Sequence, residues 1–369
     1  MKSLIVSLCF LSTIVSAQTD SISNNIKSKI NHHALNPVHS ILLYIENEDK
    51  QFIYNEGFGL EKANGKAVTK HSAFKIASST KLFVSTIILQ LQEEGKLSIS
   101  DKVFPYVEDI EDLNFKNFHN LDSVKHAKDI TIKQLLTHRS GLADIFTDKE
   151  DAFFALVMKN PNKQYDTTSI IQLYYQFHLN QTPHFKPNEA WHYSDINYVL
   201  LGLIIQQIDK ITLAQSIRKR IIDPLQMENT FLEFYENSNI QAPQINQYLG
   251  QTNFSNINTS FDWAGGGLVS TNADLAIFIK ALFNYKLINK SSLDQMIDVK
   301  STKTDELRYG LGVYEFHINN NVYYGHFGFY NTFIGYCPKT KTTLSYSISQ
   351  TTPSFNTYTF ISQLLNYVD

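Results

Sequence analysis

The sequence predicts a mixed α/β protein in which both ends of the chain build one antiparallel sheet. Residues 38–60 alternate apolar and polar side chains, as a β-hairpin does. Residues 82–230 repeat apolar side chains at mostly helical spacing, and strand patterns return from about residue 311. Because β-rich segments flank a helical segment, the simplest arrangement is a sheet with an inserted helical domain.

The domain boundaries follow from the same change of pattern. The chain has 369 residues, of which 43% are hydrophobic, so it is long enough for one large or two fused domains. We expect residues 18–81 and 260–369 to form the sheet domain and residues 82–259 the inserted helical domain. An active site is expected at their interface.

Two segments define the predicted hairpin and the helical core. Residues 41–45 and 51–54 are the hairpin strands, separated by the polar turn 47–50. The next apolar repeat begins at Leu82 and ends at Gly95, which is typical of a helix terminus. Residues 198–205 are continuously apolar and predict a buried helix that is too short to span a membrane.

The C-terminal third predicts a strand meander. Strands are expected at 312–318, 321–327, 332–337 and 342–349, with turns at 319–320 and 338–341. An amphipathic helix is expected over about 354–367. The Asn- and Gln-rich residues 235–260 predict a loop excursion near a domain junction.

The first 17 residues predict a secretory signal peptide. Lys2 gives a positive start, residues 3–15 are mostly apolar, and Val15 and Ala17 place small side chains before a cut at Gln18. A membrane anchor is the alternative, but about 13 residues fall short of the ~20 that span a bilayer. A lipid-anchoring cut at Cys9 fits poorly. We expect an exported protein, periplasmic or secreted, with no stable membrane span.

Composition and motifs exclude several classes of function. The chain has 32 Lys and Arg against 35 Asp and Glu, a net charge of −3, so it lacks the basic excess of a nucleic-acid binder. Its two cysteines exclude a disulfide scaffold, and Cys337 is expected to be a buried strand residue. Nucleotide-binding and His-Glu-x-x-His motifs are absent from the sequence, so we expect neither a cofactor nor a metal.

The chemically informative pattern is Ser-x-x-Lys, which occurs three times. Three residues of helix place a hydroxyl and an ammonium group on one face, where the cation favours removal of the hydroxyl proton. Ser72/Lys75 precedes the helix, and Ser216/Lys219 lies in a charged segment that we expect to be a solvated helix surface. Only Ser78/Lys81 opens a strongly apolar helix. Helix capping is the alternative role of Ser78.

Seven collinear segments then resemble the serine β-lactamase and penicillin-binding protein superfamily. The nearest branch is that of class C β-lactamases with their D-Ala-D-Ala carboxypeptidase, aminopeptidase and esterase relatives. The segments cover most of residues 35–350 and are 74–83 (FKIASSTKLF), 135–142 (LLTHRSGL), 191–202 (WHYSDINYVLLG), 222–230 (IDPLQMENT), 264–271 (AGGGLVST), 309–312 (YGLG) and 325–328 (GHFG).

The resemblance implies a role for each site residue. Ser78 is the expected nucleophile and Lys81 its proton-managing partner. Tyr193 resembles the family's Tyr-x-Asn tyrosine, a general base when nearby cations lower its pKa. The backbone N–H groups of Ser78 and Phe329 are the expected oxyanion hole, with Phe329 following the His326–Gly328 triplet. A rival Tyr-x-Asn at residues 235–237 lies outside the helical context.

Two departures from the family pattern bear on the substrate. His326 replaces the lysine of Lys-Thr-Gly, and the resemblance implies that it is the fourth catalytic residue, which supports Ser78 and Lys81 by donating to Tyr193 or to substrate. Loss of the lysine weakens recognition of a substrate carboxylate. Asp195 replaces the asparagine of Tyr-x-Asn, which removes a hydrogen-bond donor and adds negative charge. Both changes disfavour anionic β-lactams and favour esters or amides that carry a free amine. His138, in the second segment, is expected to be mainly structural.

The predicted function is therefore hydrolysis of an ester or amide through an acyl-enzyme on Ser78. The substrate is expected to be a D-amino-acid peptide or small ester, with the cell wall as one candidate source. Alternatives are a true β-lactamase, a penicillin-recognising or ligand-binding homologue with weak turnover, and an exported structural protein. The sequence does not determine the oligomeric state.

Overall fold

The computed structural model describes residues 18–110, 112–237, 242–302 and 307–368. The predicted signal peptide, residues 1–17, lies outside the described residues, as do residues 238–241 of the predicted loop excursion.

Fifteen strands occur in the described residues. They are β1 (Ser40–Asn47), β2 (Phe52–Gly59), β3 (Phe74–Lys75), β4 (Asn120–Leu121), β5 (Val124–Lys125), β6 (Phe231–Leu232), β7 (Tyr248–Leu249), β8 (Thr252–Asn253), β9 (Leu268–Ser270), β10 (Lys300–Ser301), β11 (Arg308–Tyr309), β12 (Tyr314–Ile318), β13 (Asn321–Gly328), β14 (Thr332–Cys337) and β15 (Thr342–Ile348).

The helices of the same described ranges are α1 (residues 18–27), α2 (Thr80–Glu93), α3 (Phe104–Val107), α4 (Ile132–Leu136), α5 (Ile145–Asp148), α6 (Glu150–Lys159), α7 (Thr167–Gln176), α8 (Ile196–Asp209), α9 (Leu213–Ile217), α10 (Asp223–Leu225), α11 (Trp263–Gly266), α12 (Asn272–Phe283), α13 (Lys290–Met296) and α14 (Thr357–Leu365). Short 3-10 turns join several of them.

The main sheet confirms the predicted assembly from both chain ends. Its eight strands run in the order β10-β11-β12-β13-β14-β15-β1-β2, and every neighbouring pair is antiparallel. Strand β1 therefore joins the N-terminal hairpin to the C-terminal meander. The α1 and α14 helices bury apolar side chains against one face of the sheet, and α12 packs on the other face.

The turn between β12 and β13 shows why the meander was predictable. Asn319 and Asn320 both have positive φ, 50° and 61°. Asparagine tolerates this left-handed backbone better than most residues, and two such residues in succession form a tight hairpin turn that matches the twist of the strands. The structure confirms this turn and the strands on both sides of it.

The segment between the hairpin and the meander is largely helical, as predicted, and α2 and α8 are its core. Both are buried along most of their length and pack against each other and against α11. The largest apolar cluster includes residues of both predicted domains, from Leu42 to Tyr336. The boundary between those domains stays a prediction.

Three further expectations can be compared with the fold. Cys337 is a buried, free thiol in β14, as predicted. Ser216 contradicts the solvated surface expected of its Ser-x-x-Lys pair: its side chain is buried, because one face of α9 packs inward while Lys219 stays exposed. Across the described ranges, no single helix is long and apolar enough to cross a membrane; α8 with residues 213–225 passes that test only as a pair bent by 76°.

Candidate active site

Ser78 lies in the 3-10 turn Ala77–Ser79, between β3 and the first turn of α2. The preceding residue, Ala77, has a φ of 45°, a left-handed conformation that is costly for a residue with a Cβ. Ser78 does not cap the helix: Ser79 occupies the N-cap position and makes no side-chain cap. The tight turn instead leaves the Ser78 side chain partly exposed to a cavity.

Strands β13 and β14 both pack directly on this turn. The Ser79 hydroxyl donates to the His326 carbonyl at 3.0 Å, and the Thr332 hydroxyl donates to the Ile76 carbonyl at 3.2 Å. A Cβ on Gly328 would stand 2.2 Å from the Ile76 carbonyl oxygen, so only glycine allows this approach. The contact brings Gly328 and Phe329 beside the turn that carries Ser78.

Lys81 is the most constrained polar side chain of the site. Its side chain is fully buried, and its Nζ donates to Ser78 Oγ at 3.0 Å, Asp195 Oδ1 at 2.5 Å and the Gly265 carbonyl at 2.8 Å. An ammonium group has three donors, and all three have acceptors here. The structure thus brings together the predicted pair Ser78 and Lys81 and adds Asp195 as the charge partner.

Asp195 is held at the start of α8 from two sides. Its backbone N–H donates to Asp144 Oδ1 at 2.7 Å. Its carboxylate lies against Gly265, where a Cβ would come within 2.5 Å of Asp195 Oδ1. The carboxylate that replaces the family's asparagine therefore faces Lys81 and forms an ion pair, which partly neutralises the added negative charge.

Asp144 and Asp262 are acidic site residues that the sequence analysis missed. Asp144 caps α5 and is buried; burial first, and then the Asp195 carboxylate, raise its pKa. Asp262 lies before α11, and burial followed by Asp195 raises its pKa to about 7, against the lowering effect of Lys75 and Lys81. Neither residue stands in a motif that signals a site. Only the fold places three carboxylic acids around one cavity.

Tyr193 lies beside both Ser78 and Lys81. Its ring centroid is 5.0 Å from Lys81 Nζ and its hydroxyl is hydrogen-bonded with Ser78. Burial, followed by the Asp195 charge, raises the pKa of Tyr193 well above its ordinary value. This is opposite to the lowered pKa that the family resemblance implied, because burial disfavours the charged phenolate and the Asp195 carboxylate adds to that effect. The rival Tyr235 donates instead to the Tyr165 and Ser260 carbonyls.

His138 and His326 are both buried near Tyr193. His138 is buried, stacks on Tyr193 at 4.3 Å, and accepts from the Ser194 backbone N–H at 3.1 Å, which fits the expected structural role. His326 is buried on β13, where its Nδ1 donates to the Phe327 carbonyl at 2.7 Å and its Nε2 accepts from the Tyr309 hydroxyl at 3.2 Å.

The structure engages both ring nitrogens of His326 with Tyr309 and Phe327 rather than with Ser78 or Lys81, which it was predicted to assist. Its ring centroid is 6.4 Å from that of Tyr193. Burial, then the Lys81 charge, lower its pKa to about 3, so the ring is neutral at ordinary pH and does not replace a lysine as a cation. A direct catalytic role for His326 stays a prediction.

A cavity of about 500 Å³ opens above Ser78 and is mostly aromatic. Ser78, Tyr193, Asp144, Asp195 and Asp262 form its polar lining together with Glu150 and Thr147. Its apolar walls come from two helices, two 3-10 turns, two strands and the turn after β13, and the rings are those of Phe146, Phe153, Phe154, Phe254, Phe261, Tyr314, Phe327, Phe329 and Tyr330. The cavity therefore fits a ligand with a sizeable apolar group, next to the Ser78 hydroxyl and several acids.

Comparisons with known proteins establish the family. The family model described as Beta-lactamase matches residues 45–365. The chain belongs to the beta-lactamase family, whose fold and hydrolase relatives the sequence resemblance predicted.

Two curated proteins illustrate the sequence similarity. Protein flp of Staphylococcus aureus strain MW2 is 35% identical over 177 residues, which are 48% of this chain and 31% of that protein. A putative D-alanyl-D-alanine carboxypeptidase of Escherichia coli O157:H7 is 25% identical over 300 residues, 72% of this chain and 65% of that protein. The match therefore spans about a third of the length of the first curated relatives.

Among solved structures, the D-amino acid amidase of Ochrobactrum anthropi SV3 in complex with L-phenylalanine has a TM-score of 0.77 at 20% identity. The match covers 94% of this chain and 98% of that one. This likeness confirms the predicted mixed α/β fold.

Proposed function

We propose that the protein is an exported serine hydrolase that cleaves an ester or amide through an acyl-enzyme on Ser78. The observation that carries this proposal is the Ser78 Oγ to Lys81 Nζ hydrogen bond of 3.0 Å at the floor of the aromatic cavity. A serine hydroxyl fixed by a buried ammonium group, beside a tyrosine hydroxyl, is arranged for nucleophilic catalysis.

The proton route follows from the three groups that meet there. Ser78 Oγ attacks the carbonyl carbon while its proton passes to Tyr193 Oη, and the original Tyr193 proton passes to the leaving amine or alcohol. Tyr193 thus remains neutral overall, and Lys81 stabilises the developing alkoxide without changing charge. The Ser78 and Phe329 backbone N–H groups receive the oxyanion. Water then repeats the route in reverse and releases the acid.

The charges around the cavity favour a substrate with a free amine. Asp144, Asp195 and Asp262 line the cavity, whereas Lys81 is buried and fully engaged. The raised pKa values leave Asp144 and Asp262 partly protonated near neutral pH, and a substrate ammonium group beside them favours their ionised forms. The ammonium group also gains from the aromatic faces, whereas a substrate carboxylate disfavours ionisation of the same acids. We therefore place D-amino-acid amides, short peptides and small esters ahead of anionic β-lactams. The similarity to a D-amino acid amidase supports this order.

A matched substrate pair tests this assignment. We expect D-phenylalanine amide to be hydrolysed at least about tenfold faster, by kcat/KM, than its N-acetylated form, which has no charge on the nitrogen. Asp195→Asn is expected to reduce that preference and to speed acylation by penicillin. If kcat/KM is equal for the two amides in the wild-type protein and again in Asp195→Asn, the site does not select for a free amine.

A slow acyl-enzyme is the second candidate. Lys81 donates to three acceptors and has no lone pair to accept a proton from the deacylating water. A stable adduct with penicillin that outlives the turnover of every ester and amide tested would favour a penicillin-recognising protein over a hydrolase.

Export rests on the pattern of residues 1–17 and is part of the same proposal. N-terminal sequencing of the protein recovered from the periplasm or medium of an expressing Gram-negative cell is expected to begin at Gln18. A chain recovered only from the cytoplasm with Met1 or Lys2 intact would contradict export.

A further inference from the structure

A cluster of one carboxylate and two imidazoles lies outside the proposed reaction. Asp148 ends α5, His184 follows α7 in a loop, and His192 precedes Tyr193. His184 Nε2 is 2.9 Å and His192 Nε2 is 3.2 Å from the same atom, Asp148 Oδ2. The two imidazole rings stack with centroids 3.6 Å apart.

The contacts of Asp148 Oδ2 exceed what one carboxylate oxygen accepts well. Besides the two imidazole nitrogens, the oxygen accepts the Asp144 backbone N–H at 2.7 Å. A carboxylate oxygen offers about two lone-pair directions, so three donors compete for it. This competition is relieved when one cation lies between the two imidazole nitrogens and the oxygen in place of the imidazole protons.

The three ligand atoms have a spacing that a metal requires. All three lie within 4.8 Å of one another. Zinc binds imidazole nitrogen and carboxylate oxygen at roughly 2.0–2.2 Å, which places tetrahedral ligand atoms about 3.4 Å apart. We propose that Asp148, His184 and His192 form a binding site for a divalent first-row transition metal such as Zn²⁺, with a fourth position open to solvent.

Backbone hydrogen bonds hold the ligands in place before a metal binds. The His184 N–H donates to the Gly141 carbonyl at 2.9 Å, and the His192 N–H donates to the His138 carbonyl at 3.0 Å. Both histidines are therefore fixed to one short stretch of chain. The Asp144 N–H in turn orients the Asp148 carboxylate. Such orientation of ligands by neighbouring groups is a regular feature of metal sites.

The proposed metal site also abuts the active site. Asp144 joins the two, because its N–H contacts Asp148 while its carboxylate accepts the Asp195 N–H. The metal would cross-link α5 to the segment that carries Tyr193. We therefore expect bound metal to stabilise the wall of the cavity and to raise the unfolding temperature, and we assign it no chemical step.

Metal titration of tag-free protein tests the proposal. After treatment with a chelator, isothermal titration with Zn²⁺ near neutral pH is expected to show one tight site. His184→Ala, at an exposed side chain, and Asp148→Asn, which keeps an acceptor for Asp144, are each expected to weaken that site by more than about tenfold. Circular dichroism checks that both variants fold.

A matched control comes from the other close histidine pair. His32 Nδ1 lies 3.0 Å from His39 Nδ1, so His32→Ala removes an imidazole from a pair without a carboxylate partner in the same cluster. The titration is expected to be unchanged in this variant. Co²⁺ should give visible absorption typical of a four-coordinate site in the wild-type protein but not in His184→Ala. Zn²⁺ binding that is absent, or that survives in both Asp148 and His184 variants, would overturn the proposal.

Discussion

Two Ser-x-x-Lys pairs lie six residues apart in this chain, and the structure gives them different environments. Lys75 and Lys81 are both buried and both pair with a carboxylate, Glu233 at 3.0 Å and Asp195 at 2.5 Å. Lys81 also reaches Ser78. Lys75 instead donates to Thr259 at 2.9 Å, while Ser72 accepts the Thr69 N–H at 3.1 Å.

The difference between the pairs arises from the local backbone. Lys75 belongs to the short strand β3, which directs its side chain towards Thr259 and Glu233 and away from Ser72. Ser78 and Lys81 straddle the turn that starts α2, so both side chains lie on one side of it. The same spacing therefore gives a lysine without a contact to its serine in one place and the proposed nucleophile with its lysine in the other.

The largest expected effect is the loss of activity in Ser78→Ala. Removing the nucleophile is expected to lower kcat/KM by about 10⁴-fold or more, with the unfolding temperature close to that of the wild type. Ser72→Ala is the control and should keep its activity, because Ser72 serves only a local turn. Steady-state kinetics on the best ester or amide measures both; equal losses in the two variants would break the comparison.

Replacing each lysine by methionine should separate chemistry from stability. Lys81→Met is expected to lower kcat/KM by about 10²–10⁴-fold, because the Ser78 alkoxide loses its cation. Lys75→Met is expected to cost about 3 kcal/mol of unfolding free energy, since Glu233 loses its partner, with activity per folded molecule retained. Urea unfolding and kinetics on both variants are the measurements. An active Lys81→Met enzyme is the result that this interpretation does not allow.

The charges of Lys75 and Lys81 both act on the pKa of Asp262, so the pH dependence of stability tests the comparison further. Its folded pKa of about 7 lies above the ordinary value of 3.8, so the folded protein holds a proton that the unfolded chain releases. Stability therefore falls as pH rises from about 4 to about 7. Asp262→Asn removes this loss and should gain up to ~4 kcal/mol at about pH 8 but little at about pH 4. Urea unfolding at both pH values gives the difference; a gain independent of pH would contradict the assignment.

The smallest effect is expected at His326, whose pKa the Lys81 charge helps to lower. Because both ring nitrogens are engaged by Tyr309 and Phe327, His326→Gln should lower kcat/KM by less than about tenfold. The pH profile of kcat/KM between about pH 5 and about pH 8 should not change. A much larger loss, with an altered profile, would assign His326 a direct role.

The sequence predicted the parts of the molecule that local pattern controls. The β12–β13 turn and the buried helices α2 and α8 each depend on a short run of residues. The Ser78–Lys81 contact was predictable because it lies within one turn of chain. Ser216 was predicted wrongly, since neighbouring charges do not reveal which face of α9 packs inward.

The rest of the site depends on contacts between distant segments. Lys81 lies 114 residues from Asp195 and 184 from Gly265, and His184 and His192 lie 36 and 44 residues from Asp148. No local spacing encodes such pairs. The raised pKa of Tyr193 likewise follows from its burial and from the position of Asp195 within the folded site, neither of which the sequence pattern alone supplied.

The central claim is that Ser78 is an activated nucleophile, and covalent labelling tests it most directly. Intact-mass spectrometry after treatment with a fluorophosphonate should show one adduct per chain, mapped to Ser78 by peptide sequencing. The adduct should be absent in folded Ser78→Ala and unchanged in Ser72→Ala. An unlabelled wild-type protein, or an adduct that persists in Ser78→Ala, would contradict the account.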